Sequence, residues 1–310
     1  MRALVTGAEG FVGPHLVREL WENGYEVSCT YHRAKPSLPE ETALFKVDIR
    51  DRDQVRGVIE KTRPEAVFHL AALAHPAGSF EKAEEVFAVN VGGTENLLAA
   101  VAEAGLKARV LLVGSQQEYG FPRSVPIRED HPLNPLNPYA ESKVRAEAIG
   151  KAYADKLPVF LTRSFNHTGP GQPPHFVLPA FARQAVAIER GLAPPVVRVG
   201  NIDVKRDFLH VRDVVRAYRR IVERGKPGEV YNVSSGDGYL LRDLLNRLLS
   251  MAGVKADIVR DPRLFRPGDP PVIIGDRTKI TAHTGWEPQL GIEQILNDLL
   301  EYWRGRPDVR

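Results

Sequence analysis

The 310-residue chain contains one cysteine, Cys29, so it can form neither an intrachain disulfide nor a cysteine-rich metal centre, and it fits a reducing compartment. No apolar run approaches the roughly 18 residues of a membrane span. The first residues lack a basic segment followed by a long apolar one, so no secretory leader is expected. Neither sign of charge is in excess: 42 Lys and Arg face 39 Asp and Glu, the net charge is +3, and the basic residues are scattered. That argues against a protein devoted to nucleic acid or anionic membrane and leaves acidic small molecules open. Repeats and low-complexity tracts are also missing. With 43% hydrophobic and 26% charged residues, the composition excludes a disordered or fibrous chain. The length suits two domains of about 150 residues or one large α/β domain. A cytoplasmic enzyme or binding protein is the class that is left.

What is present is alternation. A short apolar run at 3–6 leads into Gly7, Gly10 and Gly13, then helical spacing over 11–23; Gly24 ends that helix and 26–30 restarts a strand. Further strands are predicted at 43–47, 66–70, 108–113 and 159–163, with helices at 51–61, 91–104 and 138–153. The pattern predicts an α/β fold: a Rossmann-type, doubly wound parallel sheet with function at the carboxyl ends of its strands. Beyond about 165 proline and glycine clusters divide the chain into shorter pieces. We therefore expect a dinucleotide-binding domain over 1–165 and a smaller α/β substrate lobe over 166–310, with a segment around 205–235 returning to the sheet.

Three groups of residues carry chemistry. Gly7, Gly10 and Gly13 lie between a strand and a helix, where they permit a sharp turn, let backbone approach a pyrophosphate and let helix pack on strand. At the end of the second strand stand Thr30, Tyr31, His32 and Arg33, with no carboxylate to hold a ribose 2′-hydroxyl. Arg33 suits a 2′-phosphate, which points to NADP(H) ahead of NAD(H). Tyr139 and Lys143 are four apart on a predicted helix, so an ammonium can sit near a phenol whose free pKa is about 10. Ser115 follows a strand at the sheet edge, where its hydroxyl can join them. The histidines His69, His75, His167 and His175 have no metal-ligand spacing, no metal is expected, and His69 at a strand end reads as packing.

These motifs occur in an order that resembles the extended short-chain dehydrogenases/reductases of the NAD-dependent epimerase/dehydratase group, which act on nucleotide sugars. The similarity runs through VTGAEGFVG at 5–13, Asp48 in VDIRD, HLAA at 69–72, FAVNVGGTENLL at 87–98, GSQQEYG at 114–120, PYAESK at 138–143, RDFLHVRDVVRAY at 206–218 and YNVSSG at 231–236. The resemblance implies that Asp48 caps the adenine, with Ile49 beside it. Leu70, Ala71 and Ala72 would run along the cofactor with Phe11 and Val12. Ser115 would polarise the sugar oxygen, Tyr139 act as acid/base, and Lys143 hold the nicotinamide ribose. It also implies a homodimer.

The branch of the family follows from what the site lacks. Dehydratases of this group carry an acid two residues before the tyrosine of the YG pair; here Gln117 stands there after Gln116, and Glu118 is one position out of register. Epimerase-reductases use a Cys/His pair in the sugar site, but Cys29 falls on the second strand. Segments 163–184 and 266–288 resemble members that reduce a GDP-4-keto-6-deoxy-hexose at C4, giving GDP-D-rhamnose, and next the GDP-mannose 4,6-dehydratases. By that resemblance Gln116 and Asn166 would meet the sugar or first phosphate, and Arg183, Arg206 and Arg266 the GDP diphosphate; Arg263 is an equally placed neighbour. Alternatives are a nucleotide-sugar C4 epimerase, a GDP-mannose 4,6-dehydratase and a dinucleotide-binding regulator, although a regulator needs no Ser115, Tyr139 and Lys143 set.

Overall fold

The computed structural model describes residues 1–74, 79–265, 268–307 and 309. Its central sheet has seven strands: β1 Arg2–Thr6, β2 Glu26–Tyr31, β3 Ala43–Lys46, β4 Ala66–His69, β5 Arg109–Ser115, β6 Val159–Ser164 and β7 Val230–Val233. All are parallel and stand in the order β7-β6-β5-β4-β1-β2-β3. The winding reverses at β1, which pairs with β2 on one side and β4 on the other. A crevice therefore opens at the carboxyl ends of β1 and β4, where crossovers leave in opposite directions.

Among the described residues the α-helices of seven residues or more are α1 Val12–Glu22, α2 Arg52–Thr62, α3 Gly93–Glu103, α4 Pro138–Ala152, α5 Val177–Glu189, α6 Val211–Arg224, α7 Leu241–Met251, α8 Thr278–Thr284 and α9 Ile292–Arg304. Side chains alternate across the strands and give the sheet two apolar faces. On one face the row Val5, Phe68, Leu111 and Phe160, in register on four neighbouring strands, packs with Leu16 and Leu20 of α1 and with Val214, Tyr218 and Ile221 of α6. On the other, Leu4, Val67, Val110 and Leu161 pack with Val55 and Ile59 of α2 and Leu97 and Val101 of α3. A third core, made by α5, α7 and α9 through Leu178, Phe181, Leu244, Leu248, Leu296 and Trp303, belongs to the later part of the chain.

Local chemistry sets the element ends. Asp51 caps α2 by accepting from the backbone N–H of Asp53 and Gln54. The sequence pattern gives one helix over 91–104; in its place a helix at Ala83–Phe87 passes through a π turn at Ala88–Gly92 into α3. Two successive glycines weaken the helix there. At the second, Gly93, a Cβ would lie 2.7 Å from the Ile49 side chain, so the missing side chain lets α3 close on the chain after β3. In the returning segment α6 starts at Val211, because 208–210 pair with Asn166–Thr168 and His210 caps the helix through its ring.

Candidate active site

A cavity of about 1110 Å³ follows the crevice from the glycine turn, past the ends of β1, β4 and β5, to α5, Leu264, Phe265 and residues 268–270. Gly7, Gly10, Phe11, Val12 and Gly13 line its first part. The three glycines do different things. Gly7 has φ +69°, and a Cβ there would lie 2.6 Å from Ala71 Cα; at Gly13 it would lie 2.2 Å from Ala8 O. Both permit close backbone packing. At Gly10 a Cβ would meet nothing nearer than Gly7 O at 3.4 Å, so the turn is open there to a ligand. No side chain caps the start of α1; Gly13 N–H bonds Gly10 O and Pro14 has no N–H, so Phe11 and Val12 present the N–H groups that could face an anion.

The next stretch of wall comes from the ends of β2 and β3 and from β4. Asp48 and Ile49 line it, with Leu70, Ala71 and Ala72 just past the end of β4. Hydrogen bonds from Arg50 hold the Asp48 carboxyl down to about 2. Arg33 faces the same space with its side chain 68% exposed, 3.6 Å from Glu85. Glu9 accepts from the backbone N–H of His32 and Arg33, fixing the chain that presents this arginine.

Ser115, Tyr139 and Lys143 meet at the middle of the cavity. Ser115 ends β5, and the other two lie one turn apart on α4, whose start is capped by Asn137. Burial pushes the Tyr139 phenol up to about 12, against the Ser115 hydroxyl, which favours the phenolate, so the acid form is held. Burial also brings Lys143 down to about 8; its Nζ donates to Val113 O at 2.8 Å and stands 6.0 Å from the Tyr139 ring centroid. Gln116 and Gln117 line the cavity beside them, and Gln117 Oε1 accepts from Asn137 Nδ2. Glu118 does not line it: the acid out of register in the sequence is fully buried behind Ser115. Cys29 is buried in the core under the sheet, outside the cavity wall, and burial pushes its thiol up to about 12.

Asn90 is a residue that sequence reasoning missed. At the π turn its Oδ1 accepts from Leu73 N–H at 2.8 Å and its Nδ2 donates to Ser142 Oγ at 2.9 Å, tying the loop after β4 to α4. Gly92 and Gly93 inside a helical pattern were its available signal, since glycines and π turns interrupt helices at functional sites. Beneath it His69 is buried between Thr6 Oγ1 and Thr94 Oγ1, and Thr94 donates to Asn90 O. Burial and the charge of Lys143 bring this imidazole down to about 3, so it is neutral.

At the far end the cavity takes in Asn166, whose Nδ2 donates to Asp207 O, and Arg206, paired with Asp269 at 2.6 Å. Asp207 itself is buried and accepts from the backbone N–H groups of Ser235, Gly236 and Gly275, so three segments are joined next to Arg206. Arg183 is not in the wall: α5 contributes Val177, Leu178, Ala180 and Phe181, and Arg183 lies two residues, about half a turn, beyond the last of them. Arg263 is likewise outside the wall, bonded to Asp261. Arg266 and His75 lie outside the described residues.

Residues 4–299 match the family model described as GDP-mannose 4,6 dehydratase. The chain is 35% identical to GDP-6-deoxy-D-mannose reductase of Pseudomonas aeruginosa, over 98% of both proteins. Among solved structures it is similar to that of RMD from Pseudomonas aeruginosa complexed with NADPH, with TM-score 0.87, 34% identity and 98% and 99% of the two chains covered. It is also similar to UDP-glucose 4-epimerase from Thermotoga maritima with UDP-glucose, with TM-score 0.88, 30% identity and 98% and 99% covered. With nearly its whole length matched, and with the glycine turn and the Ser115, Tyr139 and Lys143 side chains meeting in one cavity, the chain belongs to the GDP-mannose 4,6 dehydratase family, within the NAD-dependent epimerase/dehydratase group of extended short-chain dehydrogenases/reductases.

Proposed function

We propose that this chain reduces the C4 keto group of a GDP-4-keto-6-deoxy-hexose with NADPH, giving GDP-D-rhamnose. The observation that carries the reading is the chemistry at the middle of the cavity: a tyrosine in its acid form beside a serine hydroxyl, with amides and no carboxylate in the wall next to them. Among the described residues the carboxylates of the wall are Glu9, Asp48, Glu85 and Asp269. Each is engaged toward one end, with backbone at 32–33, Arg50, Arg33 and Arg206 respectively. A dehydratase must take a proton from C5, which the Gln117 amide cannot do; reduction needs only a hydride and a proton.

The open turn at Gly10 and the uncapped start of α1 fit a pyrophosphate. In this reading Gly7, Gly10 and Gly13 hold it, Asp48 and Ile49 the adenine, Arg33 the 2′-phosphate, and Phe11, Val12, Leu70, Ala71 and Ala72 the length of the dinucleotide. Bound there, the reduced nicotinamide supplies the hydride. Ser115 donates a hydrogen bond to the C4 oxygen as charge grows on it, and Tyr139 delivers the proton. Lys143 stabilises the phenolate that is left and holds the nicotinamide ribose. Gln116 and Asn166 are assigned to the sugar and Arg206, with Arg266, to the diphosphate; the reading gives Arg183 no part. The named activity and the NADPH of the Pseudomonas relatives support the choice of substrate and cofactor, and NADH is the second cofactor choice.

We further infer that 1–165, completed by the segment around 205–235, is the dinucleotide domain and 166–310 mainly the sugar-nucleotide lobe, in a cytoplasmic homodimer. Light scattering after gel filtration tests the dimer. The likeness to UDP-glucose 4-epimerases favours C4 epimerisation as the second reading. Mixing the protein with NADPH and GDP-4-keto-6-deoxymannose separates the two: loss of the nicotinamide absorbance with formation of GDP-rhamnose supports reduction. UDP-sugar conversion without net NADPH use supports the epimerase and ends the first reading.

A further inference from the structure

Glu118 takes no part in the reduction itself, yet it lies directly behind the residues that do. With Ser115 it completes the Ser-x-x-Glu spacing of a capping box. Ser115 N–H donates to Glu118 Oε1 at 2.7 Å, and Ser115 Oγ accepts from Gln117 N–H at 3.2 Å. The backbone and the hydroxyl of the serine are thus both fixed by the short turn that follows it.

Capping alone does not account for an acid. A glutamine oxygen would accept the same N–H without the cost of burying a carboxyl group. Glu118 is 0% exposed, and its Oε2 has no hydrogen-bond partner. Arg163 Nε is 3.7 Å away but makes its closer bonds, 2.8 and 2.9 Å, to Glu147. Room for the acid is specific: at Gly114 a Cβ would lie 2.5 Å from Glu118 Oε1 and 2.3 Å from Thr162 O. The charged and titratable groups facing it are Tyr139, Lys143 and Glu147 of α4, Arg163 of β6 and Tyr119 of its own turn.

We propose that Glu118 is a positioning residue for the reduction: it fixes Ser115 through the backbone and, as an acid able to ionise behind α4, sets the proton affinity of Tyr139 and Lys143. The inference rests on the reductase reading above. Burial, then the charge of Glu147, lift the Glu118 carboxyl well above the ordinary carboxylate range, so it ionises at higher pH than an exposed acid. When it ionises, it raises the proton affinity of both Tyr139 and Lys143. Removing that charge therefore moves both titrations to lower pH.

The test compares wild type, Glu118→Gln and Glu118→Ala. With NADPH and GDP-4-keto-6-deoxymannose, the alkaline limb of the kcat profile moves down by about one unit in both variants. Glu118→Ala, which frees the Ser115 N–H, loses about 10- to 100-fold in kcat with NADPH affinity retained; Glu118→Gln, which still accepts that N–H, loses less. A Glu118→Gln profile that overlays wild type, or an alanine variant with wild-type kcat, overturns the proposal. A 13C NMR titration of Lys143, its signal identified by loss in Lys143→Met, needs no turnover: it shifts to lower pH in Glu118→Gln, and superposed curves overturn the proposal even where alanine misfolds. A wild type that leaves NADPH unconsumed counts against the reductase reading, while the Lys143 titration still decides the role of Glu118.

Discussion

Replacing Arg163 with methionine tests how the floor beneath Ser115 is held. Arg163 is 3% exposed on β6; it donates to both Glu147 oxygens, to Tyr119 Oη at 3.0 Å and to Glu129 O at 2.9 Å, and its guanidinium stands 4.9 Å from the Tyr119 ring centroid. Methionine fills much of the volume and removes every one of these bonds, leaving Glu147 with Lys151 as its partner at 2.7 Å. Breaking a buried pair from one side costs about 3–5 kcal/mol. For a chain of this length, with about 2.1 cal/mol/K of unfolding entropy per residue, that lowers Tm by about 5–8 °C. The loss depends on pH. Burial alone would raise the Glu147 carboxyl, but the hydrogen bonds and charge of Arg163 outweigh it and hold it below its usual range. Stability from such a group is present above its unfolded value of about 4.3 and disappears as the pH falls through the folded one. Calorimetry at pH 7 and near pH 4 should therefore show a gap between wild type and Arg163→Met that is full at the first and smaller at the second. A variant that melts within about 1 °C of wild type at pH 7, or a gap that widens toward acid, would refute the reasoning.

Other outcomes follow from the cavity. Tyr139→Phe removes one oxygen from a buried ring and should lower kcat by about 10²- to 10⁴-fold with dinucleotide affinity unchanged, measured by NADPH consumption and by fluorescence titration; unaltered turnover takes Tyr139 out of the mechanism. Arg33→Ala should raise the KM for NADPH about tenfold and leave that for NADH nearly as it was, because a charge-assisted contact worth about 1.5 kcal/mol or more is lost only with the 2′-phosphate. Gly13→Ala must push α1 from the Ala8 carbonyl oxygen, which lies 2.2 Å from where the added methyl carbon would stand, and should weaken binding of both dinucleotides about equally; a discriminating loss would show that the third glycine touches the ribose end instead.

The strand and helix order was legible because apolar periodicity and glycine placement are local properties. Tyr139 and Lys143 were legible for the same reason: four residues on a helix fix their separation. Asn90 was not, since its importance depends on a π turn that brings it to Leu73 and Ser142, 17 and 52 residues away. Arg183 misled because the sequence shows a helix but not how far along it the cavity reaches. The spacing of Ser115 and Glu118 is that of a cap, whereas the full burial of Glu118, 3.7 Å from Arg163 on the next strand, depends on packing far away in sequence.

The position of β7 has a consequence for the order in which the sheet can be built. The edge of β6 is covered by residues 230–233, and the face beside it by α6, so a chain emerging through residue 165 has neither. Its last strand then offers a free ladder of N–H and C=O groups, and the Phe160 face lacks Tyr218 and Ile221. A fragment ending at 165 should associate or aggregate, while one reaching past 233 can close the sheet. In the division proposed above, the two lobes would be joined by several passages of chain, entering after β6 and leaving again after β7. Opening them as rigid halves would bend all of these at once, which favours access to the cavity through loops at its rim over a single hinge.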